Sequence, residues 1–197
     1  MSDHNPFLII VSAPSGCGKT TLLRILLNKL SGLNLSISHT TRPMRKGEVA
    51  GVDYFFVSIE KFNAMLKSGD FIESALVHDN YYGTSYASID TLLTQGNDVI
   101  LDIDVQGMHT LKSENKYDLV TIFIMPPDLD TLASRLQTRG TDSGKVIKQR
   151  LINAENEINA ATDYDYLITN DDLDRAVSDL FSIITAERLR YFRRNSL

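Results

Sequence analysis

The segment Ser12-Ala13-Pro14-Ser15-Gly16-Cys17-Gly18-Lys19-Thr20-Thr21 constrains this chain more than any other stretch. It follows a short apolar run at 7–12 and opens a helix-period segment at 19–30, so it must connect a buried strand tightly to a helix. Its spacing is that of the phosphate loop GxxxxGK[ST], with Ala13 where the first glycine would stand. Gly16 and Gly18 let backbone NH groups converge on phosphate oxygens, and the helix start adds the positive end of its dipole. Lys19 contributes a point charge, and Thr20 offers a hydroxyl to Mg²⁺. Asp102 ends another apolar run, Val99-Ile100-Leu101, where a second Mg²⁺-organising carboxylate is expected. The competing readings are a glycine-rich turn for the loop and a helix cap for Asp102. Together the two features point to a nucleoside triphosphate with Mg²⁺, without naming the reaction.

Around this loop, short apolar runs alternate with helix-period segments, the pattern of an α/β fold with a mainly parallel sheet flanked by helices. Core strands are expected at 7–12, 35–38, 98–102, 119–125 and 166–168, and helices at 19–30, 105–112, 129–139, 146–162 and 173–192. Pro126 and Pro127 stop one strand, and Asp128 is placed to cap the helix behind them. The segment 38–88 differs, with short aromatic runs at 54–57, 71–77 and 81–84 broken by Gly47, Gly51, Gly69 and Gly83. That reads as a small mixed sheet inserted on the main one. A polar interruption at 138–145, with Gly140 and Gly144, reads as a loop between two helices.

Charge excludes some partners. With 20 Lys and Arg against 25 Asp and Glu the chain carries −5, so it does not coat nucleic acid or an anionic membrane through bulk charge. No run reaches the roughly 20 apolar residues of a membrane span. Any bound anion must therefore meet a local basic cluster. A single cysteine, Cys17, cannot form an intramolecular disulfide, and a cytoplasmic location is expected. Cys17 reads first as a small residue of the loop; its place beside Lys19 and a helix start offers, as a second reading, a lowered pKa and sensitivity to oxidation or alkylation. His4, His39, His78 and His109 show no metal-ligand spacing. Arg188, Arg190, Arg193 and Arg194 close the last helix, where cations suit the dipole, and contacts with a second copy are left open there.

Two patterns of GTP-hydrolysing switches also occur, Asp104-Val105-Gln106-Gly107 as DxxG and Asn115-Lys116-Tyr117-Asp118 as NKxD. Their spacing argues against that class. Only 108–114 lies between them, about two helical turns, and Asn115 to Asp118 precedes an apolar strand instead of following one. The second pattern reads as a polar turn.

Ser38-His39-Thr40-Thr41-Arg42-Pro43-Met44-Arg45-Lys46-Gly47-Glu48, followed by Gly51-Val52-Asp53-Tyr54-Phe55-Phe56-Val57, closely resembles the monophosphate-binding signature of guanylate kinases. Phe71-Ile72-Glu73, Asn80-Tyr81-Tyr82-Gly83-Thr84, the run from Leu101 to Gly107 and Asn170-Asp171-Asp172 continue it in the same order. The resemblance spans about 8–190. It implies a P-loop NTPase core (1–37, 89–137 and 151–197), a GMP-binding insertion (38–88) and a lid (138–150). It also implies transfer of the γ-phosphoryl group of ATP to GMP, and to dGMP, within purine nucleotide recycling. A catalytically silent interaction module of the same fold and another P-loop monophosphate kinase are the alternatives.

What the resemblance implies for residues is compatible with the chemistry. The acceptor phosphate is ionised near neutral pH, since its second pKa is about 6, so charge neutralisation matters more than a general base. Arg42 and Arg45, with Tyr54 and Tyr82, match positions that hold the GMP phosphate. Glu73 matches the residue accepting from the guanine ring NH and amino group, with Ser38, Gly83, Thr84 and Asp104 around the base. Ala13 to Thr21 and Asn170 match the ATP side, Asn170 near the adenine. Arg135, Arg139 and Arg150 match lid-side arginines that, with Lys19, Arg42 and Asp102, serve catalysis. Mg²⁺ would be held by Thr20 and, through water, by Asp102.

Overall fold

The computed structural model describes residues 4–77, 79–138 and 144–194. In chain order the elements begin with β1 (Leu8–Ser12), α1 (Lys19–Lys29), β2 (Leu33–Leu35), β3 (His39–Thr40), β4 (Phe55–Phe56), α2 (Ile59–Lys67), β5 (Phe71–Val77), β6 (Asn80–Ser85) and α3 (Tyr86–Thr94). They continue with β7 (Asp98–Asp102), α4 (Val105–Glu114), β8 (Leu119–Met125), α5 (Leu129–Thr138), α6 (Gly144–Asn159), a 3-10 turn (Ala160–Asp163), β9 (Tyr166–Thr169), α7 (Leu173–Arg188) and α8 (Tyr191–Arg194).

Every residue of β1 is buried, because both faces of its sheet are covered. The sheet is parallel throughout, in the order β2-β7-β1-β8-β9. Side chains alternate across it. Phe7, Ile9 and Val11 join Leu22, Leu26, Leu180 and Ile184 of α1 and α7 on one face. Leu8 and Ile10 join Ile89, Met108 and Leu111 of α3 and α4 on the other. The register pairs Val11 with Asp102, so the loop after β1 and the carboxylate ending β7 emerge side by side at the carboxyl edge.

The insertion forms a second sheet, β4-β3-β6-β5, with β3 and β4 parallel and the other pairs antiparallel. Its packing is aromatic: Phe62 of α2 stacks on Phe71 and Tyr81 at 4.5 and 5.4 Å. A side chain at Gly83 would meet Phe71, Phe62 and the Glu73 carbonyl at 3.0–3.1 Å, so this glycine lets the helix close onto the sheet.

Several expectations shift. The strand expected at 35–38 is β2, two residues earlier, because Leu33 is the residue that faces inward. The helices α2 and α3 were not among the sequence expectations; Ser58 and Ser85 cap them, accepting from the NH groups of Lys61 and Ser88. Asp128 caps α5 as expected, accepting from the Thr131 NH at 2.6 Å. The last helix stops at Arg188 and resumes as α8, which turns Arg193 inward. Arg193 is therefore no exposed dipole cation. It is 1% exposed, lies 4.0 Å over the Phe7 ring, pairs with Glu187 and forks onto Asp118. Arg188 likewise points inward, onto the buried Asp98 at 2.7 Å. Among the described residues no helix is long and apolar enough to cross a membrane.

Removing one member of a buried pair leaves the other charge without compensation. Arg193→Ala should cost about 3–5 kcal/mol in urea unfolding. Arg190→Ala removes only an exposed guanidinium from the same Glu187, which keeps Arg193, and should cost no more than about 1 kcal/mol. Equal losses in the two variants would contradict the structural role given to Arg193.

Candidate active site

The phosphate loop is held from outside. Gly16 and Gly18 have φ of +94° and +92°, the left-handed region that disfavours other residues. Space forbids side chains there too: a Cβ would lie 2.9 Å from Leu136 at Gly16 and 2.7 Å from the Asn170 amide nitrogen at Gly18. Ala13, in the first glycine's place, is not among the positive-φ residues and packs against the core, so it needs no glycine. The Cys17 carbonyl accepts from Asn170 Nδ2 at 2.6 Å and more distantly from Arg135 Nη1 at 3.5 Å. Arg135 also donates to the Asn170 carbonyl at 3.1 Å.

Lys19 forms an ion pair with Asp102, the contact that the β1–β7 register makes available. Thr20 and Thr21 are exposed beside it. The loop from Ala13 to Thr21, together with Glu157, lines a cavity of about 330 Å³. Arg150 of α6 reaches the loop and donates to Ser15 Oγ at 3.0 Å. Arg139 lies outside the described residues, as does most of the interruption at 138–145.

A second cluster sits on the inserted sheet. Pairing of Glu73 with Thr84 across β5 and β6 brings their side chains together, and Thr84 Oγ1 donates to Glu73 Oε1 at 3.0 Å. Ser38 Oγ lies 3.1 Å from the same Thr84 hydroxyl. Burial raises the Glu73 pKa; the Thr84 hydrogen bond opposes this, Asp104 and Asp102 add to it, and Lys19 opposes it. Those charges place Glu73 within electrostatic reach of the phosphate loop.

Arg42, Tyr54 and Tyr82 form a third cluster. The two tyrosine rings are 5.9 Å apart, and the Arg42 guanidinium lies 5.5 Å from the Tyr54 centroid. Arg42 is forked onto Glu48, which raises its pKa, and the Tyr82 hydroxyl raises it further. Arg45 is exposed and joins through its backbone, whose NH meets Glu48 at 2.7 Å. Gly83, between Tyr82 and Thr84, faces the packed side of the sheet.

A family model described as guanylate kinase matches residues 5–187. The chain belongs to the guanylate kinase family. The guanylate kinase of Nitrobacter winogradskyi is 46% identical over 195 residues, covering 99% of this chain and 89% of that protein. The guanylate kinase of Desulfotalea psychrophila is 51% identical over 183 residues, covering 93% and 90%. A crystal structure of guanylate kinase from Anaplasma phagocytophilum superposes with a TM-score of 0.74 at 32% identity, covering 98% of this chain and 92% of that one.

The switch-like patterns have structural explanations. Asp104 caps α4, accepting from the Gly107 NH at 2.9 Å, and a Cβ on Gly107 would crowd Ile103 at 3.1 Å. Asn115 turns the chain at φ +50°, and Asp118 belongs to the Arg193 pair. Glu157 and Glu48 were missed at the sequence level. Glu157 stands seven residues after Arg150 on α6 and so shares its face, a spacing that was readable. Burial raises the Glu157 pKa, with Lys19 opposing and Asp104 adding.

Cys17 is the small buried residue of the loop that its first reading gives, and the second reading, an activated thiol, is overturned. The thiol is fully buried, faces the Ile124 carbonyl at 3.4 Å and has its pKa raised to about 11, because burial outweighs Arg135 and Lys19. Native protein at pH 8 should therefore react with a thiol reagent about a hundredfold more slowly than a free cysteine, and denaturation should restore the rate. Labelling at the free-thiol rate in the native protein would contradict this placement.

Proposed function

We propose that this chain transfers the γ-phosphoryl group of ATP to GMP, giving ADP and GDP. What supports this reading is a braced phosphate loop with Lys19 on Asp102, beside an inserted sheet that sets Glu73, Thr84 and Ser38 together, with Lys19 and Asp102 both acting on the charge of Glu73.

In the reaction a phosphate oxygen of GMP forms a bond to the γ-phosphorus as the bond to the bridging oxygen breaks, and that oxygen leaves with its electron pair on ADP. The acceptor is already an anion, so the protein's work is to bring two anions into line. Lys19 and the loop take the donor phosphates; Arg42, Arg45, Tyr54 and Tyr82 take the acceptor phosphate. Arg150 on Ser15, with Arg135, brings further charge to the transferring group; Arg139 and most of the expected lid lie outside the described residues. Asn170 serves the ATP side by fixing the loop's Cys17 carbonyl.

Among the described residues no cluster of three or more His, Cys, Asp and Glu is disposed to hold a metal. The donors at the loop, the Thr20 hydroxyl and the Asp102 carboxylate, fit an ion carried largely by nucleotide phosphates and water. Thr20 and Asp102 would hold such a Mg²⁺, which neutralises phosphate charge.

The guanine edge presents two adjacent donors, which one carboxylate can accept. Adenine has a lone pair where guanine has its ring NH, so it would leave a half-buried Glu73 unpaired. Offered ATP with GMP, AMP, UMP or dTMP in turn, the protein should turn over GMP; turnover of AMP but not GMP would overturn the reading. Glu73→Gln should lower kcat/KM for GMP by on the order of a hundredfold while leaving ATP binding unchanged. Recognition requires the ionised carboxylate, and its pKa is raised. KM for GMP should therefore rise on acidification from above the ordinary carboxylate range, an increment absent in Glu73→Gln, which controls for titration of GMP itself.

A further inference from the structure

Resting on the guanylate kinase reading, we propose that Glu48 is a positioning residue of the acceptor-phosphate pocket, aiming the guanidinium of Arg42 and tying it to the backbone at Arg45. Glu48 Oε1 accepts from Arg42 Nη2 at 2.7 Å, and Oε2 accepts from Arg42 Nη1 at 3.1 Å. The same Oε2 accepts from the Arg45 backbone NH at 2.7 Å. The turn closes on itself, since the Glu48 NH donates to the Arg45 carbonyl at 3.2 Å. One carboxylate thus joins the two arginines assigned to the acceptor phosphate.

The geometry shows what the contact leaves available. A guanidinium has two forked edges, the terminal Nη1/Nη2 edge and the lateral Nε/Nη2 edge. Glu48 occupies the terminal edge, and Nη1 also donates to the Pro43 carbonyl at 2.8 Å. The rings of Tyr54 and Phe56, at 5.5 and 5.8 Å, set the plane of the group from the side. The Arg42 backbone NH is fixed on Thr40 Oγ1 at 3.2 Å. What remains is the lateral fork, on a side chain whose torsions are already chosen, with the Tyr82 hydroxyl as its further polar neighbour. A phosphate can take that edge while Glu48 keeps its own.

Charge alone argues against a carboxylate here. It repels an incoming phosphate and partly neutralises the arginine, so a pocket built on attraction would omit it. What Glu48 supplies is orientation: a long, flexible side chain otherwise loses rotamer freedom when the anion binds, and here that cost falls on folding.

The test compares Glu48→Gln with the unaltered chain in steady-state kinetics and melting. Glu48→Gln should raise KM for GMP about tenfold and leave KM for ATP unchanged. The inhibition constant of guanosine, which shares the base and lacks the phosphate, should not move. On an Arg42→Ala background the same substitution should add little, because the residue acts through Arg42. An unchanged KM for GMP overturns the proposal; so does a lowered one, which would make Glu48 a competitor of the phosphate. Equal weakening of guanosine and GMP overturns it as well, since that is loss of the pocket as a whole. Absence of GMP turnover in the unaltered chain would instead remove the guanylate kinase reading, and this proposal with it.

Discussion

The structure depends on keeping a phosphate loop in shape through contacts made from behind it. Two glycines at positive φ leave the loop with a carbonyl, that of Cys17, which needs a partner outside the loop. Asn170, just past β9, supplies it at 2.6 Å, and Arg135 of α5 spans from this carbonyl to the Asn170 backbone. The Cys17 thiol adds a contact to β8. The ends of β1, β8 and β9 and the face of α5 are thereby joined at one residue. The parallel register then does the rest: with Val11 opposite Asp102, the Asp102 carboxylate can only emerge beside Lys19.

This explains how a chain of charge −5 can hold anions. Its cations at the cleft stand on resident acceptors: Lys19 on Asp102, Arg42 on Glu48, Arg150 on the Ser15 hydroxyl. Net charge averages over these arrangements and carries no information about them. The two carboxylates also differ in what they permit. An ammonium is a compact charge with three rotatable protons, so Asp102 and a phosphate meet Lys19 at one point. A guanidinium has two edges, so Glu48 on one of them leaves Arg42 the other.

Much of this was legible because it followed period and spacing. The all-buried β1 and the buried Val99-Ile100-Leu101 of β7 read as apolar runs, and the loop read as a phosphate site from its glycines and Lys19. Asp128 read as a cap from its place behind two prolines. Less was legible where burial decides. Cys17 read as a small loop residue, and the second reading of a thiol activated by Lys19 failed because sequence neighbours do not show that the thiol points at β8. Arg193 looked like a dipole cation, but the break after Arg188 turns it onto Glu187 and Asp118. The helices α2 and α3 are nine residues each and follow serines. Each is short, and no element was read over either, because so few apolar residues, Phe62 and Ile89 among them, give little helical period to find.

The insertion illustrates why its site residues were recognisable as a set and opaque one at a time. Alternation along β6 sends Tyr82 and Thr84 to one face and Gly83 to the packed face, where Phe62 and Phe71 need the absence of a side chain. Glu73 meets Thr84 because β5 and β6 pair at that register, past an irregularity between Phe71 and Glu73. A shift of one residue would turn Glu73 onto the aromatic core and Gly83's neighbours to the packed face. The stacked aromatics under the sheet therefore act on the Glu73–Thr84–Ser38 cluster through register: by fixing which residues of β5 and β6 meet, they set which carboxylate stands against Thr84.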